Sequence, residues 1–295
     1  MTLEDSLKSW AKAPGQTEQE KCDRAVTAVC KAKEASRALS KHNIRVFAQG
    51  SYCNRTNVRE DSDVDVCLLC TDSLISTYPE GMGPQDFGLR SPADYGYAEF
   101  KNDAHAAMND YFGKEHVTRG NKALDIKENT YRIAADVVPC FEHRRYAKDG
   151  TWTTPEGAAF YPDNGGMVKN WPDQNYTNGV AKNGNTGQCF KSIVRIFKRV
   201  CNKMKDENVE AAKPMSSFLL ESLVWNVPDP SFTGSYTDMV RAAIIHLYND
   251  TKKYETCKDW GEVNDLKYLF ATSQPWTFGQ VNAFLGAMWT YLELK

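Results

Sequence analysis

Two aspartates, Asp63 and Asp65, stand on either side of one valine in the apolar run SDVDVCLLC. Alternate residues of a β-strand point to the same face, so the two carboxylates would lie side by side. Such a pair repels by about 4 kcal/mol at a separation near 4 Å and an effective dielectric near 20. A bound divalent cation would remove this cost, so the pair indicates a metal site.

A third carboxylate, Asp136, occurs in a second β-like segment, YRIAADVVPCF. If the two strands are neighbours, the three carboxylates converge. Oxygen ligands of this kind suit Mg²⁺, and two such ions can hold both the attacking and the leaving oxygen of a phosphoryl transfer. Asp63 could instead cap a loop, and Asp136 could pair with an arginine. Because aspartates without partners are uncommon in apolar strands, the set of three favours the metal.

A Gly-Ser pair, Gly50 and Ser51, follows the β-like run IRVFA and precedes the aspartates by a short loop. Glycine permits close approach of a phosphate to the backbone, and serine offers an N–H and a hydroxyl group. The pair alone is weak evidence. Its position before Asp-x-Asp makes it much more specific.

A basic face is predicted on a helix over residues 188–205, where Lys191, Arg195, Lys198 and Arg199 share one side. Apolar residues occupy the other side. An amphipathic surface helix with a solvated basic face explains this pattern. A binding surface for a triphosphate explains it too, because lysine and arginine form charge-assisted hydrogen bonds with phosphate.

The composition is that of a globular protein: 295 residues, 41% hydrophobic, with a formal net charge of −2. This charge argues against a protein that coats nucleic acid or an anionic membrane. No apolar run is long enough to span a membrane, and MTLEDSLKSW lacks a signal-peptide pattern, so we expect a cytoplasmic protein. The nine cysteines are then reduced. Cys67 and Cys70 form a CxxC, but on a strand they would face opposite ways, and we expect no zinc site.

The predicted elements are mixed in the first part of the chain and almost all helical in the last hundred residues. We predict an α+β lobe over 1–165 and a mainly helical lobe over 166–295, with a ligand cleft between them. The predicted helices cover 17–41, which opens with a capping-box pattern, 100–112, 188–205, 215–226, 234–249, 259–271 and 277–293. The predicted strands cover 44–48, 63–69, 122–127 and 131–138, with loops over 72–96 and loops with short strands over 148–187.

The combination of Gly-Ser, SDVDV and a third aspartate on a later strand resembles the DNA polymerase β-like nucleotidyltransferase superfamily. Four further stretches, ADVVPCFEHRRY, GMVKNWPDQNYTNGVAKNGNTGQCFK, KSIVRIFKRV and PMSSFLLESLVWN, resemble the bacterial cGAS/DncV-like nucleotidyltransferases. The resemblance covers roughly residues 45–226. It implies a polymerase β-like lobe with a mixed sheet, followed by a helical lobe.

The resemblance also implies roles for individual residues. Asp63, Asp65 and Asp136 match the ligands of two Mg²⁺ ions, for which Mn²⁺ could substitute. Lys198 matches a lysine that contacts the donor triphosphate, with Arg195 one turn before it. Ser217 matches a serine that binds the phosphates, and Phe218 matches an aromatic residue that stacks on the donor base. A core position for Phe218 in the apolar helix FLLESLVW stays open.

The activity implied by the resemblance is synthesis of a cyclic di- or trinucleotide second messenger in anti-phage defence, with release of pyrophosphate. ATP is expected among the ribonucleoside triphosphate substrates, and a separate effector protein would read the product. The zinc-binding insertion with which animal cyclic GMP-AMP synthase senses DNA has no counterpart here, so we expect no nucleic-acid activator. We also expect a monomer.

Two other functions remain open at this stage. A template-independent nucleotidyltransferase acting on RNA or protein would use the same three aspartates and give a linear product. A catalytically inactive binding module would keep the fold without the chemistry, but the complete set of three aspartates argues against it.

Overall fold

The computed structural model describes residues 2–58, 63–89 and 94–295. The chain forms two compact units, which we call the sheet unit and the helical unit. The sheet unit consists of Gly15–Tyr52 and Arg59–Asp173, and the helical unit of Met1–Pro14, Cys53–Val58 and Gln174–Lys295. The division thus falls at Asp173, eight positions after the boundary expected from the sequence. Two short N-terminal segments also join the helical unit, which local sequence patterns do not reveal.

The sheet unit contains one mixed seven-stranded sheet among its described residues. Its order is β1-β2-β5-β4-β3, with β6 beside β5 and β7 beside β6. The strands are β1 (Ile44–Gln49), β2 (Val64–Thr77), β3 (Val117–Arg119), β4 (Leu124–Ile126), β5 (Ala135–Arg145), β6 (Gly157–Phe160) and β7 (Val168–Asn170). Strands β2 and β5 are parallel, and the other pairs are antiparallel. The central parallel pair is covered on both faces, which explains its almost continuous apolar sequence.

The described helices are α1 (Leu3–Trp10), α2 (Gln16–Ala35), α3 (Gly50–Cys53), α4 (Tyr97–Phe112), α5 (Pro172–Asn185), α6 (Phe190–Asp206), α7 (Ser217–Trp225), α8 (Tyr236–Asp250), α9 (Tyr254–Cys257) and α10 (Phe278–Tyr291). Helices α2 and α4 bury residues such as Val29 and Phe100 against one face of the sheet. None of the described helices is long and apolar enough to cross a membrane.

The two faces of β2 carry different residues, as expected from strand alternation. Val66 and Cys70 belong to the core under α2 and α4. Cys67 and Cys140 belong to a smaller cluster on the opposite face. The prediction that Cys67 and Cys70 point to opposite faces is therefore confirmed, and the cysteines are free thiols.

Helix α6 lies at the centre of the helical unit rather than on its surface. Ile193 and Phe197 pack in the main core together with Leu7 of α1 and Phe284 of α10. Two residues of the expected basic face, Arg195 and Lys198, are buried, and the other two, Lys191 and Arg199, are half-buried. The interpretation of this helix as an amphipathic surface helix with a solvated basic face is therefore wrong.

Several sequence-based boundaries were wrong for identifiable reasons. The capping box expected at residues 17–20 does not form, because α2 begins after Gly15 without a side-chain cap. Strand β2 extends to Thr77 through a shift in register after Cys70, where the sequence predicted a loop. Helix α5 lies where the sequence predicts loops with short strands, because glycine and asparagine have low helix propensity.

The helix predicted over 259–271 is also wrong. These residues form turns around an isolated bridge between Gly261 and Tyr268. Asp265 has a left-handed φ of 59°. Asn264 donates a hydrogen bond to Glu262 at 2.8 Å. Short polar side chains that bind nearby groups in this way compete with helix formation, which apolar periodicity does not show.

Candidate active site

Strand pairing brings three aspartates into one row across the sheet. In the parallel pair β2–β5, Asp65 lies directly beside Asp136. In the antiparallel pair β4–β5, Asp125 lies directly opposite Asp136. Residues in register on neighbouring strands direct their side chains to the same face. The predicted neighbours Asp65 and Asp136 are therefore together, and Asp125 joins them.

Asp63 precedes β2 and belongs to the same acidic cluster. The N–H of Val64 donates to the carbonyl of Ala134 at 3.0 Å, which places the start of β2 against β5. Burial raises the pKa of Asp63, and the negative charges of Asp125 and Glu128 raise it further. Asp63, Asp65, Asp125 and Asp136 thus form one site, which we call the acidic cluster.

The negative charges of the acidic cluster raise the pKa of Asp136. Burial, followed by the charges of Asp63, Asp125 and Asp65, raises the pKa of Asp136 to about 7. A hydrogen bond with Asp125 contributes in the same direction. The neighbouring carboxylates thus make the charged form of Asp136 unfavourable, and a proton or a cation at this position would relieve the repulsion.

Gly50 packs directly on this site. It follows β1, whose last residue, Gln49, pairs with Asp65. Its φ is +68°, and a Cβ atom at this position would lie 2.2 Å from Oδ2 of Asp65. Any side chain here would be strained and would collide with the carboxylate. The structure therefore brings the predicted Gly50–Ser51 pair to the acidic cluster, at the start of the short helix α3.

The cluster has the chemistry of a divalent-cation site. All its donors are hard carboxylate oxygens, which Mg²⁺ prefers. Among residues 2–58, 63–89 and 94–295, no three or more acidic, histidine or cysteine side chains lie close enough together to hold a metal ion as they stand. The type of donor and the raised pKa of Asp136 fit Mg²⁺.

Asp125 is the member of the cluster that the sequence analysis missed. A strand was predicted over 122–127, and Asp125 alternates there with the buried Leu124 and Ile126. An aspartate between two apolar strand residues was the available signal. Its partner could not be identified without knowing that β4 pairs with β5.

Ser217 and Phe218 lie in the first turn of α7. Ser216 caps this helix by accepting a hydrogen bond from the N–H of Leu219. Phe218 is 40% exposed, so it is not a core residue, and that alternative is wrong. Its ring centroid lies 6.4 Å from that of Trp276. The contacts of Ser217 and Phe218 with a donor nucleotide stay predictions.

Arg195 and Lys198 have partners within the helical unit. Lys198 Nζ lies 2.9 Å from Glu221 Oε2 in a buried ion pair. Arg195 Nη1 donates to the carbonyl of Arg55 at 2.7 Å. A contact of either side chain with the donor triphosphate stays a prediction. In the structure, both side chains already bind other residues of the protein.

Comparison with known proteins agrees with this geometry. The family model of the cGAS/DncV-like nucleotidyltransferase C-terminal helical domain matches residues 177–293. The chain is 42% identical over 293 residues to a cyclic dipyrimidine nucleotide synthase CdnE of Legionella pneumophila, covering 98% of both chains. It is 38% identical over 292 residues to the cyclic dipyrimidine nucleotide synthase CdnE of Cecembia lonarensis, again covering 98% of both.

The fold is also that of a solved relative. The structure of the Elizabethkingia meningoseptica CdnE cyclic dinucleotide synthase with GTP and Apcpp is 33% identical, with a TM-score of 0.82 and 98% of both chains covered. This match confirms the predicted fold class, a polymerase β-like lobe with a mixed sheet and a C-terminal helical lobe. The chain is a nucleotidyltransferase and belongs to the bacterial cGAS/DncV-like nucleotidyltransferase family.

Proposed function

We propose that this enzyme joins ribonucleoside triphosphates into a cyclic di- or trinucleotide and releases pyrophosphate. The observation that carries the proposal is the acidic cluster, in which Asp65 lies beside Asp136 and Gly50 packs on Asp65. Relatives matched over 98% of the chain are named cyclic nucleotide synthases, which supports the same activity.

Asp63, Asp65 and Asp136 would hold Mg²⁺, with two ions as the expected number and Mn²⁺ as a possible substitute. When bound, Mg²⁺ would supply the positive charge that neutralises the carboxylates and the phosphate oxygens around the reacting phosphorus. Gly50 lets the backbone approach the donor phosphates without a side chain in the way. The hydroxyl of Ser51 donates a hydrogen bond to them.

Asp136 is suited to accept the proton of the acceptor ribose hydroxyl. The pKa of about 7 belongs to the metal-free site and would fall when a cation binds, so that Asp136 would act as an ionised carboxylate. The hydroxyl oxygen forms a bond to the α-phosphorus, the bond from that phosphorus to the bridging oxygen breaks, and pyrophosphate leaves. A second transfer of the same kind closes the ring. Most of the catalysis is positioning and charge stabilisation.

Ser217 and Phe218 would bind the donor nucleotide. Ser217 lies in the first turn of a nine-residue helix, where backbone N–H groups lack helical partners and favour anions. The exposed ring of Phe218 offers a face to the base. The resemblance also assigns Arg195 and Lys198 to the donor triphosphate. Their hydrogen bonds support an indirect role, which is developed below.

The relatives favour a pyrimidine nucleotide among the substrates. The two named dipyrimidine synthases are 42% and 38% identical to this chain, and the synthase solved with GTP and Apcpp is 33% identical. ATP, expected from the resemblance, competes with this proposal in the same assay. The enzyme would act as a cytoplasmic monomer in anti-phage signalling, without a nucleic-acid activator, and a separate effector would read its product.

The test is incubation with all four α-³²P-labelled ribonucleoside triphosphates and Mg²⁺, without nucleic acid, followed by phosphatase and mass spectrometry. A phosphatase-resistant product with the mass of a cyclic di- or trinucleotide is expected, and its mass identifies the bases. The same reaction in EDTA should give none. A parallel reaction contains RNA and cell protein. Labelled RNA or protein without a cyclic product would overturn the proposal in favour of a linear nucleotidyltransferase.

A further inference from the structure

The segment Cys53–Val58, which we call the connecting segment, lies in the chain between Ser51 and Asp63. It belongs to the helical unit, although the residues on both sides of it belong to the sheet unit. Three of its side chains are buried polar groups: Asn54, Thr56 and Asn57 are 6%, 0% and 3% exposed. Buried polar groups require hydrogen-bond partners, and α6 and α7 supply them to Asn54 and Thr56.

Glu221 of α7 is the centre of this network. Its Oε1 accepts a hydrogen bond from Asn54 Nδ2 at 3.1 Å. Its Oε2 accepts from Thr56 Oγ1 at 2.8 Å and from Lys198 Nζ at 2.9 Å. Lys198 also donates to Thr56 Oγ1 at 3.0 Å. One buried carboxylate and one buried ammonium group therefore hold two side chains of the connecting segment.

Arg195 holds the backbone of the same segment. Its Nη1 donates to the carbonyl of Arg55 at 2.7 Å, and its Nε donates to the carbonyl of Ala11 at 2.7 Å. Arg55 has a left-handed φ of 55°, which is unfavourable for a residue with a side chain. Burial lowers the pKa of Arg195 to about 10, so the guanidinium still carries its charge near neutral pH.

Stabilisation of the core does not by itself explain this arrangement. A buried ion pair is often no more stabilising than apolar residues of the same size, whereas removal of one partner strands a buried charge. Lys198 is 2% exposed, and Thr56 and Glu221 already accept two of its three N–H donors, so only one donor is left for a direct phosphate contact. The hydrogen bonds of Lys198 and Arg195 point to the connecting segment instead.

We propose that Glu221 is a positioning residue of the nucleotidyl transfer, and that Lys198 and Arg195 act through the connecting segment with it. By fixing Asn54, Arg55 and Thr56, they hold the chain that follows directly after α3, which carries Gly50 and Ser51, the two residues proposed to bind the donor phosphates. This inference rests on the proposed function, because its kinetic test measures cyclic product.

The first test is the kinetics of Glu221→Gln, which keeps the shape of the side chain and one acceptor oxygen. We expect kcat to fall about tenfold while the nucleotide KM changes less than about threefold, since orientation is lost and not a phosphate contact. Lys198→Met should give the same pattern. The double variant should be no slower than the slower single variant, because both residues act on one segment.

A matched control is available in the same unit. Lys182 is also buried, and its Nζ lies 2.6 Å from Asp229 Oδ1 and 2.9 Å from the carbonyl of Val227. None of these partners belongs to the connecting segment. Lys182→Met should lower Tm, though less than Lys198→Met because Asp229 is 41% exposed, and should keep kcat within about twofold of the parent enzyme. Equal losses of kcat in both lysine variants would overturn the proposal.

A second readout does not depend on activity. Amide hydrogen exchange of residues 53–58 in the nucleotide-free protein should be faster in Glu221→Gln than in the parent, and unchanged in Lys182→Met. If the parent makes no cyclic product, the proposed function fails, and the exchange experiment still decides whether Glu221 fixes the segment.

The result that would overturn the inference is specific. If Lys198→Met raised the nucleotide KM tenfold or more at constant kcat, Lys198 would be a direct phosphate ligand. If Glu221→Gln left both kcat and the exchange of residues 53–58 unchanged, Glu221 would have no positioning role.

Discussion

The two units of this enzyme differ in the charges that surround their buried carboxylates. In the sheet unit, Asp136 lies among like charges, and its pKa rises to about 7. In the helical unit, Glu221 is paired with Lys198 and accepts two further hydrogen bonds. Both sites depend on residues far apart in the sequence. Only in the first do neighbouring carboxylates raise the pKa of the group.

This difference distinguishes carboxylates that are suited to bind a ligand from carboxylates that fix the conformation of the chain. Neighbouring carboxylates repel one another unless a cation or a proton neutralises them, so a cluster of them indicates a binding site. A carboxylate with all its partners in place gains nothing from a ligand and instead specifies one arrangement of the chain. Four changes would break or sharpen this contrast.

The largest effect is expected for Asp63→Asn combined with Asp65→Asn. Activity should fall by on the order of a thousandfold or more, because the oxygen donors lose their charge. Tm should stay the same or rise, because repulsion with Asp136 and Asp125 decreases. Product formation and thermal melting measure the two effects. Full activity in this variant would refute the metal site.

A control for this experiment lies on the same strand. Asp72 accepts hydrogen bonds from the backbone N–H of Asn43 at 3.1 Å and from its side chain at 2.6 Å. Asp72→Asn should therefore weaken these contacts and lower Tm, while activity at a temperature well below Tm is retained.

Gly50→Ala should have the next largest effect. The added Cβ would lie 2.2 Å from Asp65 Oδ2, so the carboxylate must move, and we expect kcat to fall about a hundredfold. Gly81→Ala is the control, because Gly81 has a similar φ of +80° with no atom within 4 Å of an added Cβ. Both variants suffer backbone strain. Similar activity losses would show that strain alone, and not the carboxylate, explains the result.

Phe218→Ala should raise the KM for nucleotide about tenfold, since stacking on a base contributes about 1–3 kcal/mol. Phe218→Tyr should restore binding because it keeps the ring. Tm should change little, as Phe218 is 40% exposed. Ile245→Ala, at a residue 44% exposed in the same unit, is the control for loss of exposed apolar surface. An unchanged KM in Phe218→Ala would exclude the stacking role.

The smallest effect concerns pH and the metal-free protein. The pKa of Asp136 in the folded state, about 7, exceeds its ordinary value of 3.8, so the folded state binds the proton more strongly. Stability contributed by this group is present below about pH 4 and is lost as the pH rises to about 7. In EDTA, Asp136→Asn should therefore gain a few degrees in Tm over the parent between pH 4.5 and pH 8. A constant difference across this range would contradict the assigned pKa.

Local sequence patterns predicted much of the placement of the aspartates, whereas their catalytic role stays a prediction. Alternation around Asp63 and Asp65 revealed a strand with carboxylates on one face, and the apolar run around Asp136 revealed its neighbour. These signals are local, because a few consecutive residues are enough to show the periodicity of a strand and its apolar character. The register that places Asp65 beside Asp136 was an assumption at that stage, and strand pairing confirmed it.

The residues that sequence patterns could not interpret are those whose role depends on distant partners. Asp125 became a member of the cluster only through the pairing of β4 with β5. Lys198 has the residue type and spacing expected of a phosphate ligand. Its partner Glu221 lies in the apolar sequence of α7, and no local pattern indicates that the two residues pair. A basic residue on a helix does not show whether its counter-charge is a ligand or another part of the chain.

The hydrogen bond between Thr56 and Glu221 joins residues 165 positions apart in the chain. During synthesis, the connecting segment leaves the ribosome long before α7 does, and domains generally fold as the chain emerges. A nascent chain can therefore contain the whole acidic cluster before the partners of the connecting segment have been synthesised. If Glu221 positions this segment, nucleotidyl transfer would begin only after α7 has been made, and shorter nascent chains would be inactive.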